Sequence, residues 1–201
     1  MLPEKPYAIS CDKNSEPILK VLKDYLPNCT SLLEIGAGTG QHAIFMAPHF
    51  QNLTWHVADM EDRHEGIKMW LKDFPRANVK GPYEYEAGST KLPSGKFDVV
   101  FTANTLHIMS WNLCLKLFDD LSALPEGAMF IVYGAFNYDG TFTSESNEKF
   151  NAWLLERFPE GGIRDFEKVE EELRNRRFTL IKDNEMPANN KKIIFKKVSV
   201  H

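Results

Sequence analysis

Apolar positions along the chain recur at helical spacing in some stretches and run together in short blocks in others, and the switches between the two predict its elements. Ile18, Leu19, Leu22, Tyr25 and Leu26 fall at helical spacing behind Ser15-Glu16-Pro17, a cap candidate with proline near the first helical position, and Pro27 stops the run. The block Leu32-Leu33-Glu34-Ile35 predicts a strand, and Ala43, Ile44, Met46 and Ala47 the buried stripe of a helix over 41–49. A second strand over 53–58 ends at Asp59, and a helix over 61–72 follows. Residues 79–86 predict a third strand with Tyr83 and Tyr85 on one face and Glu84 and Glu86 on the other. The block 97–103 is almost continuously apolar, as a central parallel strand buried on both faces requires.

The second half repeats the alternation. Leu113, Leu117, Phe118 and Leu121 face inward from a helix over 111–124, a strand over 128–134 follows, and a helix over 147–158 has Thr143 or Ser144 as its cap. A charged helix over 166–176 buries only Val169 and Leu173, and strands over 178–181 and 193–198 flank a turn-rich segment over 182–190. Five strand–helix units and a final antiparallel pair predict an α/β fold with a mostly parallel seven-stranded sheet and helices on both faces.

At 201 residues the chain is expected to form a single domain, with 1–14 lying over a ligand pocket and 15–201 as the core. A hydrophobic share of 43% with 26% charged residues is that of a globular protein, and no apolar run is long enough to cross a membrane. The start Met1-Leu2-Pro3-Glu4-Lys5-Pro6 has neither the apolar core nor the cleavage site of a secretion signal, which predicts a cytoplasmic protein. The 24 basic residues against 28 acidic ones are scattered apart from 174–177 and Lys191-Lys192, so no nucleic-acid partner is expected. Cys11, Cys29 and Cys114 stand far apart, which argues for reduced thiols and against a metal site.

The chemistry concentrates at Glu34-Ile35-Gly36-Ala37-Gly38-Thr39-Gly40-Gln41. Glycine at Gly36 and Gly38 lets the chain turn sharply and approach a ligand, and Gly40 lets the next helix start close against the strand. A dinucleotide fingerprint would place its third glycine at position 41, where Gln41 stands, so pyrophosphate binding is disfavoured. The spacing resembles motif I of class I S-adenosylmethionine-dependent methyltransferases, whose turn lies against the amino acid part of the cofactor. In that setting Glu34 suits the cofactor ammonium, directly or through water. Asp59, 19 residues after Gly40, suits a ribose diol, or merely caps the helix behind it. Glu86 is the candidate for the adenine amino group, or plain surface charge. Lys13 and Asn14 either reach the cofactor carboxylate or form a solvated pair. Asn104 and His107 follow the central strand at the edge where open sheets bind ligands. Asn104 can line the cofactor or the methyl acceptor, and His107 either orients or deprotonates the acceptor or is a satisfied structural donor. Tyr138 and Phe142 shape a lid over the acceptor, or the segment is a capped loop.

Six stretches together resemble one family: 14–19, 34–42, 104–111, 133–147, Gly162-Ile163-Arg164-Asp165-Phe166-Glu167, and Met186-Pro187-Ala188-Asn189-Asn190. It is the small methyltransferase-like group that includes methyltransferase-like protein twenty-six. The resemblance implies a class I methyltransferase fold, a Rossmann-like sheet, and an S-adenosylmethionine site. It implies little about the substrate; the scattered charge favours methyl transfer to a small-molecule acceptor as the expected activity, the alternative being a catalytically weak protein that binds the cofactor or its product and acts through a protein partner. Two departures touch the cofactor contacts: Lys13 stands where the family often has arginine, and Glu86-Ala87 where it often has Asp and an aliphatic residue.

Overall fold

The computed structural model describes residues 4–199. Along it run α1 (Ile9–Tyr25), β1 (Ser31–Ile35), α2 (Gln41–Met46), β2 (Thr54–Asp59), α3 (His64–Asp73), β3 (Val79–Glu84), β4 (Val99–Ala103), α4 (Trp111–Leu121) and β5 (Met129–Gly134). They are followed by β6 (Phe136–Asn137), α5 (Glu145–Arg157), β7 (Arg164–Asp165), α6 (Phe166–Asn175), β8 (Phe178–Met186) and β9 (Asn190–Lys197). Among the described residues seven strands form one mostly parallel sheet in the order β3-β2-β1-β4-β5-β9-β8, as expected. β1 pairs parallel with β2 and β2 with β3, whereas β9 runs antiparallel to both β5 and β8. No helix among the described residues is long and apolar enough to cross a membrane.

The chain divides into two compact units, Met1–Phe101 and Thr102–His201. In the first, α1 buries Cys11, Asn14, Ser15, Ile18, Leu19 and Leu22, the successive turns of one helical stripe. Phe101 is fully buried and meets Trp55 edge to face at a ring separation of 6.0 Å. In the second, Phe118 of α4 and Phe130 of β5 meet in the same way at 6.3 Å, and Phe178 and Phe195 of the final pair are buried.

Three elements differ from the sequence reading. The helix expected to start at Ser15 starts at Ile9 and runs through Pro17. Its early turns are held from outside, since the Gln41 side chain accepts from Ala8 N–H at 2.7 Å, and tertiary contact overrides the local start signal. Tyr83 and Tyr85 do not share an environment: β3 ends at Glu84, leaving Tyr83 37% exposed while Tyr85 is buried beyond the strand. The segment 182–190, expected as a loop, is strand up to Met186, with a single 3-10 turn at Pro187–Asn189. Asn184 and Glu185 lie opposite Lys192 and Lys191 in the ladder, Lys182 and Asp183 opposite Ile194 and Ile193, and Lys191 pairs with Glu185 across it.

Candidate functional site

The glycine turn is built on the tip of β2. Gly36 and Ala37 both donate their N–H to Ala58 O, at 3.0 and 3.2 Å, and Gly38 donates to Asp59 Oδ2 at 2.6 Å. Asp59 Oδ1 accepts from Met60 N–H at 2.8 Å. Gly36, Gly38 and Gly40 all have left-handed backbone, with φ of 68°, 60° and 83°. A Cβ at Gly38 would meet nothing within 4 Å, so this side of the turn is open to a ligand. A Cβ at Gly40 would lie 3.2 Å from Ile67 Cγ2, so the close approach that glycine permits there is to α3 rather than to the strand.

Asp59 is 8% exposed, and burial pushes its carboxyl upward against the pull of the Gly38 and Met60 N–H groups. Each carboxylate oxygen retains a second acceptor site, which is what a ribose diol requires. An open glycine turn beside this carboxylate therefore fits the amino acid and ribose parts of an S-adenosylmethionine-like ligand. Glu86 lies beyond β3 in the turn 86–90, its side chain exposed and its N–H held by Thr90 Oγ1 at 2.8 Å.

Beneath the turn lies a buried polar network. Glu34, 1% exposed, accepts from Trp55 Nε1 at 2.7 Å through Oε2 and faces His42 Nδ1 at 3.7 Å through Oε1. His42 Nε2 donates to Asn14 Oδ1 at 2.7 Å. Burial opposes a charge on His42, but contacts with Cys11 and Glu34 outweigh it and push the imidazole up to about 9. Both oxygens of Glu34 and the carbonyl of Asn14 thus have partners within the protein. Lys13, by contrast, is exposed on α1. Gln41 ties the same region together, its Oε1 accepting from Thr39 Oγ1 at 2.9 Å as well as from Ala8.

In the second unit Asn104 follows β4 with φ of 58°, a left-handed conformation that asparagine tolerates better than most residues, and its N–H bonds Tyr133 O at 2.9 Å. A Cβ at Gly134, the last residue of β5, would lie 3.6 Å from His107 Nδ1 and 3.8 Å from Asn104 Oδ1. The structure therefore brings these two candidates to one point that glycine leaves open. His107 is 5% exposed and meets Phe150 edge to face. Burial, helped by the Arg164 guanidinium, pushes it down to about 4, so it is neutral at physiological pH. Arg164 also clamps its loop, donating to Leu106 O at 3.0 Å, to Met109 O, and to Glu160 O at 3.3 Å.

Of the two alternatives for the segment after β5, the structure shows the helix cap. Tyr138 donates its hydroxyl to Asp183 at 2.5 Å and stacks on Phe166, while Ser144 caps α5 by accepting from Asn147 N–H. Phe142 is 39% exposed. The sequence reading gave His42, Trp55 and Arg164 no role. A histidine between the glycine turn and the apolar stripe that begins at Ala43 is the available signal for the first. Trp55 and Arg164 carried none, because their partners are distant in sequence.

Solved structures share this fold at low identity. Human N-acetylserotonin methyltransferase in complex with SAM matches with a TM-score of 0.81 and 16% identity over 94% of this chain and 53% of its own. PigF with SAH gives 0.80 and 17% over 92% and 56%. An O-methyltransferase family protein from Burkholderia thailandensis gives 0.82 and 12% over 96% and 58%. The chain thus spans little more than half the length of these proteins. A family model described as a protein of unknown function, DUF938, matches residues 5–197, and the chain belongs to that family.

Proposed function

We propose that the protein is an S-adenosylmethionine-dependent methyltransferase acting on a small-molecule acceptor, of the kind typified by the methyltransferase-like protein twenty-six group. The observation that carries this reading is the turn at Gly36, Gly38 and Gly40, open at Gly38 and tied to the Asp59 carboxylate. The fold shared with proteins solved with SAM and SAH supports it. Bound S-adenosylmethionine supplies an electrophilic methyl group on a sulfonium. In this reading Asp59 accepts the ribose hydroxyls, and Glu86 serves the adenine side. Glu34, His42 and Asn14 hold the first turn of α2 from below, so Glu34 and Asn14 act on the ligand through the turn they support. Asn104 and His107 orient the acceptor, with His107 as a neutral hydrogen-bonding group.

Isothermal titration of the protein with S-adenosylmethionine and with S-adenosylhomocysteine tests the cofactor site, repeated on Asp59→Asn and Gly38→Val. Asparagine keeps an oxygen for Gly38 N–H but loses the charge. Binding to the unaltered chain that weakens about tenfold or more in both variants is the expected result. A folded protein that binds neither ligand sinks the reading. In a second reading the protein binds cofactor or product and acts through a protein partner; His107, pushed down to about 4, is a hydrogen-bonding group rather than a base in either reading. Ligand binding without methyl transfer to any hydroxyl, thiol, amine or heterocyclic acceptor is the outcome that reading requires.

A further inference from the structure

A groove of about 580 Å³ opens on the first unit, lined from α1, α2 and α3 and by none of the turn glycines. Its volume is that of a small-molecule pocket. Phe45 and Trp70 give it aromatic walls, and Asp12 and Arg76 give it one charge of each sign. Cys11 and Ser15 line it from α1, one helical turn apart on the same stripe. Ser15 is 4% exposed, and its hydroxyl meets no hydrogen-bond partner among the described residues. That oxygen is not among the sealed unpaired ones, so it is open to the groove. Buried polar groups are rarely left without a partner, and one at the wall of a cavity is an anchor for a ligand.

Beside this anchor Cys11 contacts the imidazole of His42, which also holds Asn14 Oδ1 at 2.7 Å and faces Glu34 Oε1 at 3.7 Å. A positive imidazole against a sulfur favours its attack on an electrophile. The other two cysteines lack this setting, and neither lines the groove. Burial and the Asp98 carboxylate push the Cys29 thiol up, and burial pushes Cys114 up to about 11. We propose that Cys11 is a modification site, at which a small disulfide carrying a carboxylate enters the groove and leaves half of itself on the sulfur. Arg76 meets the carboxylate, and the Ser15 hydroxyl takes a polar group of the same molecule. The incoming S–S bond breaks and a new one forms to Cys11. The thiol proton leaves on the released half, which is reduced as Cys11 is oxidised. The adduct displaces the Cys11–His42 contact in the first turn of α2, directly behind the glycine turn, and so weakens the hold on S-adenosylmethionine. This last step rests on the methyltransferase reading above.

Incubation with glutathione disulfide, followed by intact mass and peptide mapping, tests the site. A single adduct is expected on Cys11, formed about tenfold or more faster than on Cys29 or Cys114. Bis(2-hydroxyethyl) disulfide, which has no carboxylate, is the comparison. Arg76→Gln is expected to slow the glutathione reaction about threefold or more relative to the neutral disulfide, a ratio that general loosening of the fold does not move. Equal rates at the three cysteines, no adduct at Cys11, or an unchanged ratio in Arg76→Gln overturns the site. Titration with S-adenosylhomocysteine tests the coupling. The adduct is expected to weaken binding about tenfold, dithiothreitol to restore it, and Cys11→Ser or Cys11→Ala to be indifferent to the disulfide. Undiminished binding by the modified protein overturns the coupling. Failure of the unmodified protein to bind S-adenosylhomocysteine overturns the methyltransferase reading instead, and the disulfide rates on that same protein still decide the part played by Cys11.

Discussion

Gly38 and Gly40 stand two residues apart with the same left-handed backbone, yet their surroundings give them different duties. Any L side chain at either position is strained by about 1–2 kcal/mol. At Gly40 a Cβ also presses on Ile67 at 3.2 Å, whereas at Gly38 it points into open space. Gly40→Ala is therefore expected to lower unfolding stability in urea by about 2–3 kcal/mol, and Gly38→Ala by about half that while weakening S-adenosylmethionine binding more. Equal stability losses with equal binding losses would contradict this division. Trp55→Phe tests the layer beneath. It leaves Glu34 Oε2 buried without its 2.7 Å donor, and a loss of about 2 kcal/mol in the same urea experiment is expected. A neutral substitution there would mean that the Glu34 network adds nothing to the turn.

At the scale of elements, the sheet and most of its helices were legible because hydrophobic periodicity reports burial directly. The misread ends share one cause: they are decided by partners remote in sequence. Nothing around Ile9 marks a helix start, because what holds that end is Gln41, 33 residues from its partner Ala8. The polar residues of β8 lack a strand pattern because the strand stays intermediate or exposed from Thr179 to Glu185, and what pairs them is β9, remote from the local pattern. The candidate site divides in the same way. The glycine turn and Asp59 were readable because backbone conformation and strand ends leave a local signature. The Glu34–His42–Asn14 network was not, since it joins β1, α2 and α1 through side chains. Gln41→Leu follows from this reasoning. It removes the side-chain partners of Ala8 N–H and O, and amide hydrogen exchange is expected to rise at 8–12 while the sheet amides stay protected. Unchanged exchange at these positions would show that α1 begins without the clasp.

For the molecule as a whole, two histidines in different units pull stability in opposite directions with pH. His42, raised to about 9, holds its proton more tightly folded than unfolded, so its contribution is complete below pH 6.5 and is lost as the pH rises through 9. His107, lowered to about 4, resists protonation in the fold, so its contribution is complete above pH 6.5 and is lost as the pH falls through 4. Each shift spans about 2.5 pH units, which corresponds to about 3 kcal/mol at its limit. Stability plotted against pH should therefore form a dome with its top near pH 6.5. His42→Gln removes a titrating group that faces Glu34, Cys11 and Asn14, and should flatten the alkaline limb while leaving the acid one in place. His107→Gln should do the reverse. Urea unfolding of the three proteins between pH 4 and 9.5, with NMR titration of both imidazoles, measures limbs and assignments together. An alkaline limb that persists undiminished in His42→Gln would mean that the buried imidazole is not charged, and that the first turn of α2 rests on neutral hydrogen bonds alone.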